Sequence, residues 1–311
     1  MRLDDMPESG NVEDRRGDGG GFGGGGGMGG MPIGTGGLGI GGMVVLGLIG
    51  WALGIDPFLL INGANVIVGG NQGGYEQRQP QQQDTRRTGT PSDEAGKFVA
   101  RVLGSTEVQW KDIFSKEGQT YRAPKLVMFS GATRSACGTA QSAMGPFYCP
   151  NDREVYLDTA FFRELETRFR GCSGKSACNF TTAYIIAHEA GHHIQNLLGI
   201  IPRVTRLQQQ AGSKAEANAL QVKVELQADC LSGVWVNREA KKRPNFLEAG
   251  DIDAALTTAS AIGDDTLQRQ ATGRVVPDSF THGSAAQRKQ WFMTGYQQGT
   301  VQACNTFGSG S

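Results

Sequence analysis

A glycine-rich stretch near the amino terminus sets the strongest limit on how this chain can fold. The chain has 311 residues and 47 glycines, and 19 of those glycines lie between Gly17 and Gly50. Glycine has no side chain to bury and loses the most backbone freedom on ordering, so this stretch cannot form a packed core. We therefore expect residues 1–37 to be a disordered segment and the folded part to be shorter than the chain.

An apolar stretch follows the glycines. Residues 38–55 carry no charge and are all apolar or small, and apolar residues resume after Pro57 as far as Ile61. This length comes close to the roughly 20 residues that cross the hydrocarbon layer as a helix. We predict one uncleaved transmembrane anchor over residues 38–61. A buried core helix and a cleaved signal peptide are the alternatives, but the polar and glycine-rich flanks and the absence of an A-x-A site disfavour both.

The charges around the anchor predict its orientation. Arg2, Arg15 and Arg16 precede it, and no Lys or Arg follows it before Arg78. The positive-inside rule then places the amino terminus in the cytoplasm. We expect a single-pass protein of the bacterial inner (cytoplasmic) membrane, with residues 62–92 as a flexible tether to a domain on the periplasmic or extracellular side.

The six cysteines favour an oxidising compartment, because none of them forms a CxxC metal-binding pair. Six cysteines allow 15 pairings. Two short-range pairs stand out, and a third bridge would fasten the carboxyl terminus to an inner helix. Free buried thiols, or Cys230 as a metal ligand, are the alternatives for the third pair. The expected bridges are Cys137 with Cys149, Cys172 with Cys178, and Cys230 with Cys304.

Residues 93–311 have the pattern of an α+β domain, with a small antiparallel sheet packed on several helices. The expected strands are at 125–129, 147–148 and 155–157, and the expected helices at 159–169, 181–198, 213–239, 251–270 and 285–298, after a first helix capped by Ser92. The 30 basic and 30 acidic residues balance, so a nucleic-acid partner is not expected.

The segment from Thr181 to Pro202 carries an HExxH motif. His188 and His192 lie one helical turn apart on one face, where both can bind one metal ion. Glu189 can point at an open coordination position and take a proton from bound water. Two surface histidines on an ordinary helix are the alternative. The neighbouring His193 points about 100° away and is expected to be a packed histidine.

A third metal ligand must come from elsewhere in the chain. The helical segment that begins at Ser213 contains VELQADC, in which Glu225 borders the apolar stripe and Asp229 follows one turn later. We expect Glu225 to bind the same zinc ion and Asp229 to accept the spare N–H of a ligating histidine. A solvated acidic pair is the alternative.

These motifs resemble the gluzincin metallopeptidases, and the whole chain is similar to the neutral zinc metallopeptidase family of bacterial membrane-anchored proteins, also called YpfJ-type. The matching segments are MRLDDMPESGNVEDRRG, GPFYCPNDREVYLD, AYIIAHEAGHHIQNLLG, VELQADC, SAIGDDTLQRQATG, VVPDSFTHGSAAQRKQWF and the terminal cysteine segment. The resemblance implies an exported peptidase domain with a zincin-like fold and one zinc ion per chain. It supplies no substrate.

The resemblance also implies a late oxyanion donor, which His282 or Arg288 can provide. For His282 the alternative is a histidine that caps a helix entry. Asp264 and Asp265 are expected to form a polar turn that ends a helix, with a calcium or supporting role as the alternative.

The pattern as a whole predicts a zinc endopeptidase that acts on peptides or proteins, with Glu189 as the base. The strand around residues 155–157 is expected to align an extended substrate along its edge. A membrane-tethered scaffold that uses zinc only for stability is the alternative, but a structural zinc site would not need Glu189 beside its ligands.

Overall fold

The computed structural model of the protein describes residues 1–17, 91–141, 145–161, 167, 172 and 174–308. The anchor expected at residues 38–61 lies outside these residues, as do residues 18–37 and nearly all of the tether. The helix expected at 159–169 also lies largely outside them. Within the described ranges, none of the helices combines the length and the apolar character needed to cross a membrane.

The described residues form seven α-helices and six strands, arranged as an α+β domain. The helices are α1 (Glu94–Lys116), α2 (Lys175–Leu197), α3 (Ile200–Gln210), α4 (Lys214–Lys242), α5 (Asp251–Ala261), α6 (Asp264–Thr272) and α7 (Ala285–Gln298), with short 3-10 turns at Pro277–Ser279 and Val301–Cys304. The strands are β1 (Val12–Asp14), β2 (Lys125–Phe129), β3 (Ala132–Ser135), β4 (Gly138–Gln141), β5 (Phe147–Cys149) and β6 (Glu154–Asp158).

The main sheet has four strands in the order β1-β2-β6-β5 and is mixed, whereas β3 and β4 form a separate antiparallel hairpin. The expectation of a wholly antiparallel sheet is wrong. Strands β1, β2 and β6 run parallel, because the chain crosses over through the hairpin and β5 between β2 and β6. Within the main sheet, β5 and β6 are the antiparallel pair, and a tight turn joins them. Strand β6 is paired on both sides, so it cannot align a substrate along a free edge.

The amino-terminal residues are part of the domain. Residues 1–17 were expected to be disordered, and that expectation is wrong for these residues. Leu3, Met6 and Val12 are buried in the main core, and β1 adds a parallel strand to β2. The apolar side chains of this segment leave water on docking, which offsets the cost of ordering it.

The core lies between the main sheet and the helices α1, α2, α4 and α5, and it contains most of the large buried side chains, among them Leu103, Leu126, Leu157, Phe180 and Trp235. Helix α4 runs through the centre and contacts α2, α3 and α7. The two helices that carry the candidate ligands are therefore held from several sides.

Helix ends follow local signals that the sequence only partly predicted. The first helix is capped by Asp93 instead of Ser92, through a bond from the Gly96 amide to its carboxylate of 3.0 Å. Pro202, expected to end a helix, lies in the first turn of α3, where its missing N–H costs nothing. The helix expected at 251–270 is divided at Ile262 and Gly263, so α6 begins at Asp264.

Three disulfides are present, and each pairs the cysteines that were expected. Cys137 is bonded to Cys149, Cys172 to Cys178, and Cys230 to Cys304. The last bridge closes a sequence separation of 74 residues and ties the carboxyl-terminal 3-10 turn to α4. Closing so long a loop restricts the unfolded chain strongly, which stabilises the folded domain.

Candidate metal centre

The candidate site forms where α2 crosses α4. Helix α2 carries His188, Glu189 and His192, and α4 carries Glu225. The two backbones approach closely at Gly191, where an added Cβ atom would lie 3.2 Å from both Cα and O of Ala228. A glycine within the HExxH motif thus lets the second helix come near enough for its carboxylate to reach the histidines.

Three side chains converge at this crossing. One ligand atom from each of His188, His192 and Glu225 lies within 4.8 Å of the other two. Oε2 of Glu225 is 3.3 Å from Nε2 of His188 and 3.5 Å from Nε2 of His192. The structure therefore brings together the three residues that the sequence proposed as metal ligands.

The remaining nitrogen of each imidazole is held by an acceptor. Nδ1 of His188 lies 2.8 Å from Oδ1 of Asp229, and Nδ1 of His192 lies 2.8 Å from Oε1 of Gln195. A proton on each Nδ1 satisfies both acceptors and leaves both Nε2 lone pairs directed at Glu225. This is the tautomer in which a histidine binds a metal ion.

The donor set fits zinc. Two imidazole nitrogens and one carboxylate oxygen are the three protein ligands of many catalytic zinc sites, in which a fourth position takes water or substrate. Among the described residues, His188, His192 and Glu225 are the His, Cys, Asp or Glu side chains that lie close enough together to bind one ion.

The electrostatic surroundings favour a bound cation. Burial by itself would lower the pKa of His188, but Asp229 and Glu225 raise it to about 10. The pKa of His192 is also raised, by Glu225, against the effect of burial. Burial would raise the pKa of Glu225, yet nearby histidines keep it well below its usual range. The same negative groups that hold protons on the rings attract a metal ion.

Glu189 is buried next to the three candidate ligands. Burial raises the pKa of its carboxyl, and the charges of His188 and His192 oppose that rise. A carboxylate whose pKa is raised is a stronger base, as a proton acceptor requires. The position and environment of Glu189 suit a general base.

Asp229 is the centre of a buried hydrogen-bond network. Tyr184 donates to Oδ1 at 2.5 Å, and Arg288 donates from Nε to Oδ2 at 2.8 Å and from Nη2 to Oδ1 at 2.9 Å. Arg288 and Asp229 are both almost inaccessible to solvent. Arg288 thus holds the carboxylate that orients His188, whereas the resemblance offered it, as an alternative to His282, for the role of oxyanion donor.

The loop that carries His282 packs against α4 near Glu225, since a Cβ atom added to Gly283 would lie 3.1 Å from Leu226 and 3.3 Å from Val222. The loop is organised by Asp264, whose Oδ2 accepts the amide hydrogens of Thr281, His282 and Gly283 at 2.8, 2.6 and 2.9 Å. Asp265 accepts the amide of Ala285 at 2.7 Å. The two aspartates were expected to end a helix, but they begin α6 and hold the next loop.

Three supporting residues were not identified from the sequence. Gln195 holds His192, Tyr184 holds Asp229, and Gln221 donates to Oε1 of Glu225 at 3.0 Å. Each of the three lies three or four positions from a candidate ligand on the same helix. That spacing is the signal that could have found them, since such residues face the same way.

His193 is packed away from the site, as expected. Its Nε2 lies 2.6 Å from the carbonyl oxygen of Arg122, and its Nδ1 lies 3.0 Å from the hydroxyl of Tyr148. Burial lowers its pKa to about 4. A neutral His193 therefore joins α2 to β5 and to the segment before β2.

The comparisons with known proteins agree with this geometry. Residues 1–307 match the family described as "Putative neutral zinc metallopeptidase". The chain is 46% identical to the protein YpfJ of Escherichia coli K12 over 308 residues, which cover 99% of both chains. It is 41% identical to Rv2575 of Mycobacterium tuberculosis H37Rv over 266 residues, 78% of this chain and 84% of that one. No solved structure matches it. Because it matches this family along nearly its whole length, the chain belongs to the neutral zinc metallopeptidase family.

Proposed function

We propose that this protein is a zinc-dependent endopeptidase. The observation that carries the proposal is the convergence of His188, His192 and Glu225 beside the buried carboxyl of Glu189. Three protein ligands leave a coordination position for water, and a carboxylate next to that position is what hydrolysis requires.

The residues of the chain have separate tasks in this reaction. His188, His192 and Glu225 would hold a zinc ion, which when bound there would polarise the peptide carbonyl and lower the pKa of a water to about 7. Glu189 takes the proton of the attacking water and passes it to the leaving amine. Asp229 and Gln195 keep the two imidazoles in one orientation throughout.

The oxyanion donor in this proposal is His282. Arg288 is engaged with Asp229, whereas His282 belongs to a loop that is fixed by Asp264 and packs against α4 at Gly283. A ring held in place before the substrate binds needs no reorganisation as negative charge develops on the substrate oxygen.

An extended peptide is the proposed substrate, with β5 as the strand that aligns it. Among the described strands, β5 pairs only with β6, so its other side faces no described strand. It also contacts α2, because Tyr148 accepts a hydrogen bond from Asn196 at 2.9 Å. A peptide added along β5 would gain main-chain hydrogen bonds next to the zinc-binding helix.

We also propose that the domain acts outside the cytoplasm, on the periplasmic or extracellular side of a membrane. Three disulfides within the described residues support this placement, because disulfides persist in oxidising compartments. The apolar residues 38–61 are the proposed point of membrane attachment.

A scaffold that uses zinc only for stability is the competing function. Such a site usually closes its fourth position with another protein ligand and has no need of a buried carboxylate beside it. Zinc content of the purified protein is the first test: we expect one equivalent per chain, lost in a His188→Ala, His192→Ala variant and retained in His193→Gln. Less than half an equivalent in the wild-type protein after reconstitution would remove the basis of both functions.

A further inference from the structure

We infer that residues 1–17 and the domain formed by residues 91–308 lie on the same side of any membrane that the protein attaches to. The inference rests on contacts between these two parts of the chain and is independent of the proposed peptidase function. It replaces the expectation that the amino terminus and the domain are separated by one crossing of the membrane.

The first observation is the pairing of β1 with β2. Val12 and Asp14 are in register with Leu126 and Met128 of the parallel strand. The pairing extends beyond the strand at both ends, since Leu126 donates to the carbonyl of Asn11 at 2.8 Å and Arg15 donates to that of Met128 at 2.8 Å. A β2 strand without this partner would have unpaired main-chain groups along one side.

The second observation is a close fit between the amino-terminal segment and α1. The amide of Ser9 donates to the carbonyl of Ala100 at 2.9 Å, although Ala100 belongs to a helix. Next to it, a Cβ atom added to Gly104 would lie 2.1 Å from the carbonyl oxygen of Pro7. The helix carries a glycine where the main chain of the segment passes, so the contact is built into α1.

The third observation is that the charges of the segment are matched by the domain. Arg15 is 7% exposed, lies 3.8 Å from the Glu154 carboxylate of β6, and donates to Thr133 and to the carbonyl of Arg134. Glu13 pairs with Lys125 at 3.3 Å. Buried charges of this kind are stable only while their partners are in place, so the segment has one specific docked position.

The fourth observation is an ion pair between the end of the first described range and the start of the next. Arg16 donates to both carboxylate oxygens of Asp93, from Nη1 at 2.6 Å and from Nη2 at 2.9 Å. Arg16 comes just before the end of the first described range, and Asp93 comes just after the start of the next. The end of the first described range and the start of the next are therefore held together at one place on the domain.

The three arginines that predicted a cytoplasmic amino terminus have partners in this arrangement. Arg2 pairs at the surface with Glu248 at 3.5 Å, Arg15 with Glu154 at 3.8 Å, and Arg16 with Asp93 at 2.6 Å. A rule that counts positive charge beside an anchor is a poor guide where these charges are paired with carboxylates of a folded domain.

The test compares two introduced thiols in the full-length protein in intact cells. Gly10→Cys places one in the amino-terminal segment, where an added Cβ meets nothing within 4 Å, and Lys116→Cys places one on an exposed helix end of the domain. The six native cysteines are all in disulfides, so each variant has one free thiol. A membrane-impermeant maleimide is added before or after permeabilisation, with a cytoplasmic protein as the control.

We expect both thiols to be labelled to the same extent before permeabilisation, with no gain for either afterwards. Labelling of Lys116→Cys in intact cells together with labelling of Gly10→Cys only after permeabilisation would overturn the inference. Asp5→Cys, also exposed, repeats the test with a second position. Labelling of both thiols only after permeabilisation would support the inference and contradict the proposed export of the domain, which distinguishes the two claims.

Discussion

The guanidinium of Arg288 donates a hydrogen bond to each oxygen of the Asp229 carboxylate, at 2.8 and 2.9 Å. Asp229 in turn accepts the Nδ1 proton of His188. A residue of the last long helix therefore determines how a candidate zinc ligand of α2 is oriented, through one carboxylate of α4. This relationship separates Arg288 from His282, which the resemblance offered as alternatives for one role.

The first prediction concerns that role. Arg288→Gln should weaken zinc binding about 10 to 100-fold, as expected when the group that orients a ligand is lost, while kcat with saturating zinc changes little. An oxyanion donor would behave in the opposite way, with kcat falling about 10² to 10³-fold. Zinc titration against a chromophoric chelator and peptide cleavage at saturating zinc measure the two effects. Unchanged zinc affinity with a large fall in kcat would show that Arg288 acts on the substrate.

The second prediction concerns Gln195. Its Oε1 accepts from His192, and its Nε2 donates to the carbonyl of Val224 at 2.7 Å and to Gln227 at 3.0 Å. Gln195→Leu should weaken zinc binding about 10 to 100-fold, because Nδ1 of His192 loses its acceptor. The same substitution at the exposed Gln209 is the control and should leave the affinity unchanged. Equal affinities for the two variants would show that Gln195 does not orient the ligand.

The third prediction rests on the proposed role of His282. Asp264→Asn removes the charge that gathers three loop amides, so it should lower kcat about 10 to 10³-fold, as should His282→Ala. The double variant should lose no more than the larger of the two single losses, because both changes disable the same donor. Asp265→Asn, which affects the amide of Ala285 instead, is the matched control. Losses that multiply in the double variant would contradict a shared role.

The sequence predicted the part of the site that depends on one helix. His188 and His192 face the same way because they are four residues apart, and Glu189 follows from the motif. Glu225 and Asp229 could be named because a zinc site needs a third ligand and their helix has an apolar stripe. That Arg288 holds Asp229 depends on how α7 packs against α4, and a single helical pattern does not contain that packing.

Prediction from the sequence was wrong where a segment is short and its partners are distant along the chain. Strand β1 is the three residues Val12–Asp14, two of them acidic, and a charged tripeptide shows no alternation that distinguishes a strand from a loop. Its partners, Leu126 and Met128, lie more than a hundred residues away. The parallel direction of β2 and β6 was missed for the same reason, since strand direction depends on the path of the whole connection.

The central claim is that Glu189 takes the proton of the attacking water. Glu189→Gln keeps the size of the side chain and removes its basicity. The most direct measurement is the cleavage rate of a peptide library by the two proteins, each loaded with zinc to the same measured content. We predict that the variant binds zinc as the wild type does and cleaves about 10² to 10⁴-fold more slowly. A wild-type protein that, fully loaded with zinc, cleaves no faster than Glu189→Gln would contradict the assignment and favour the scaffold.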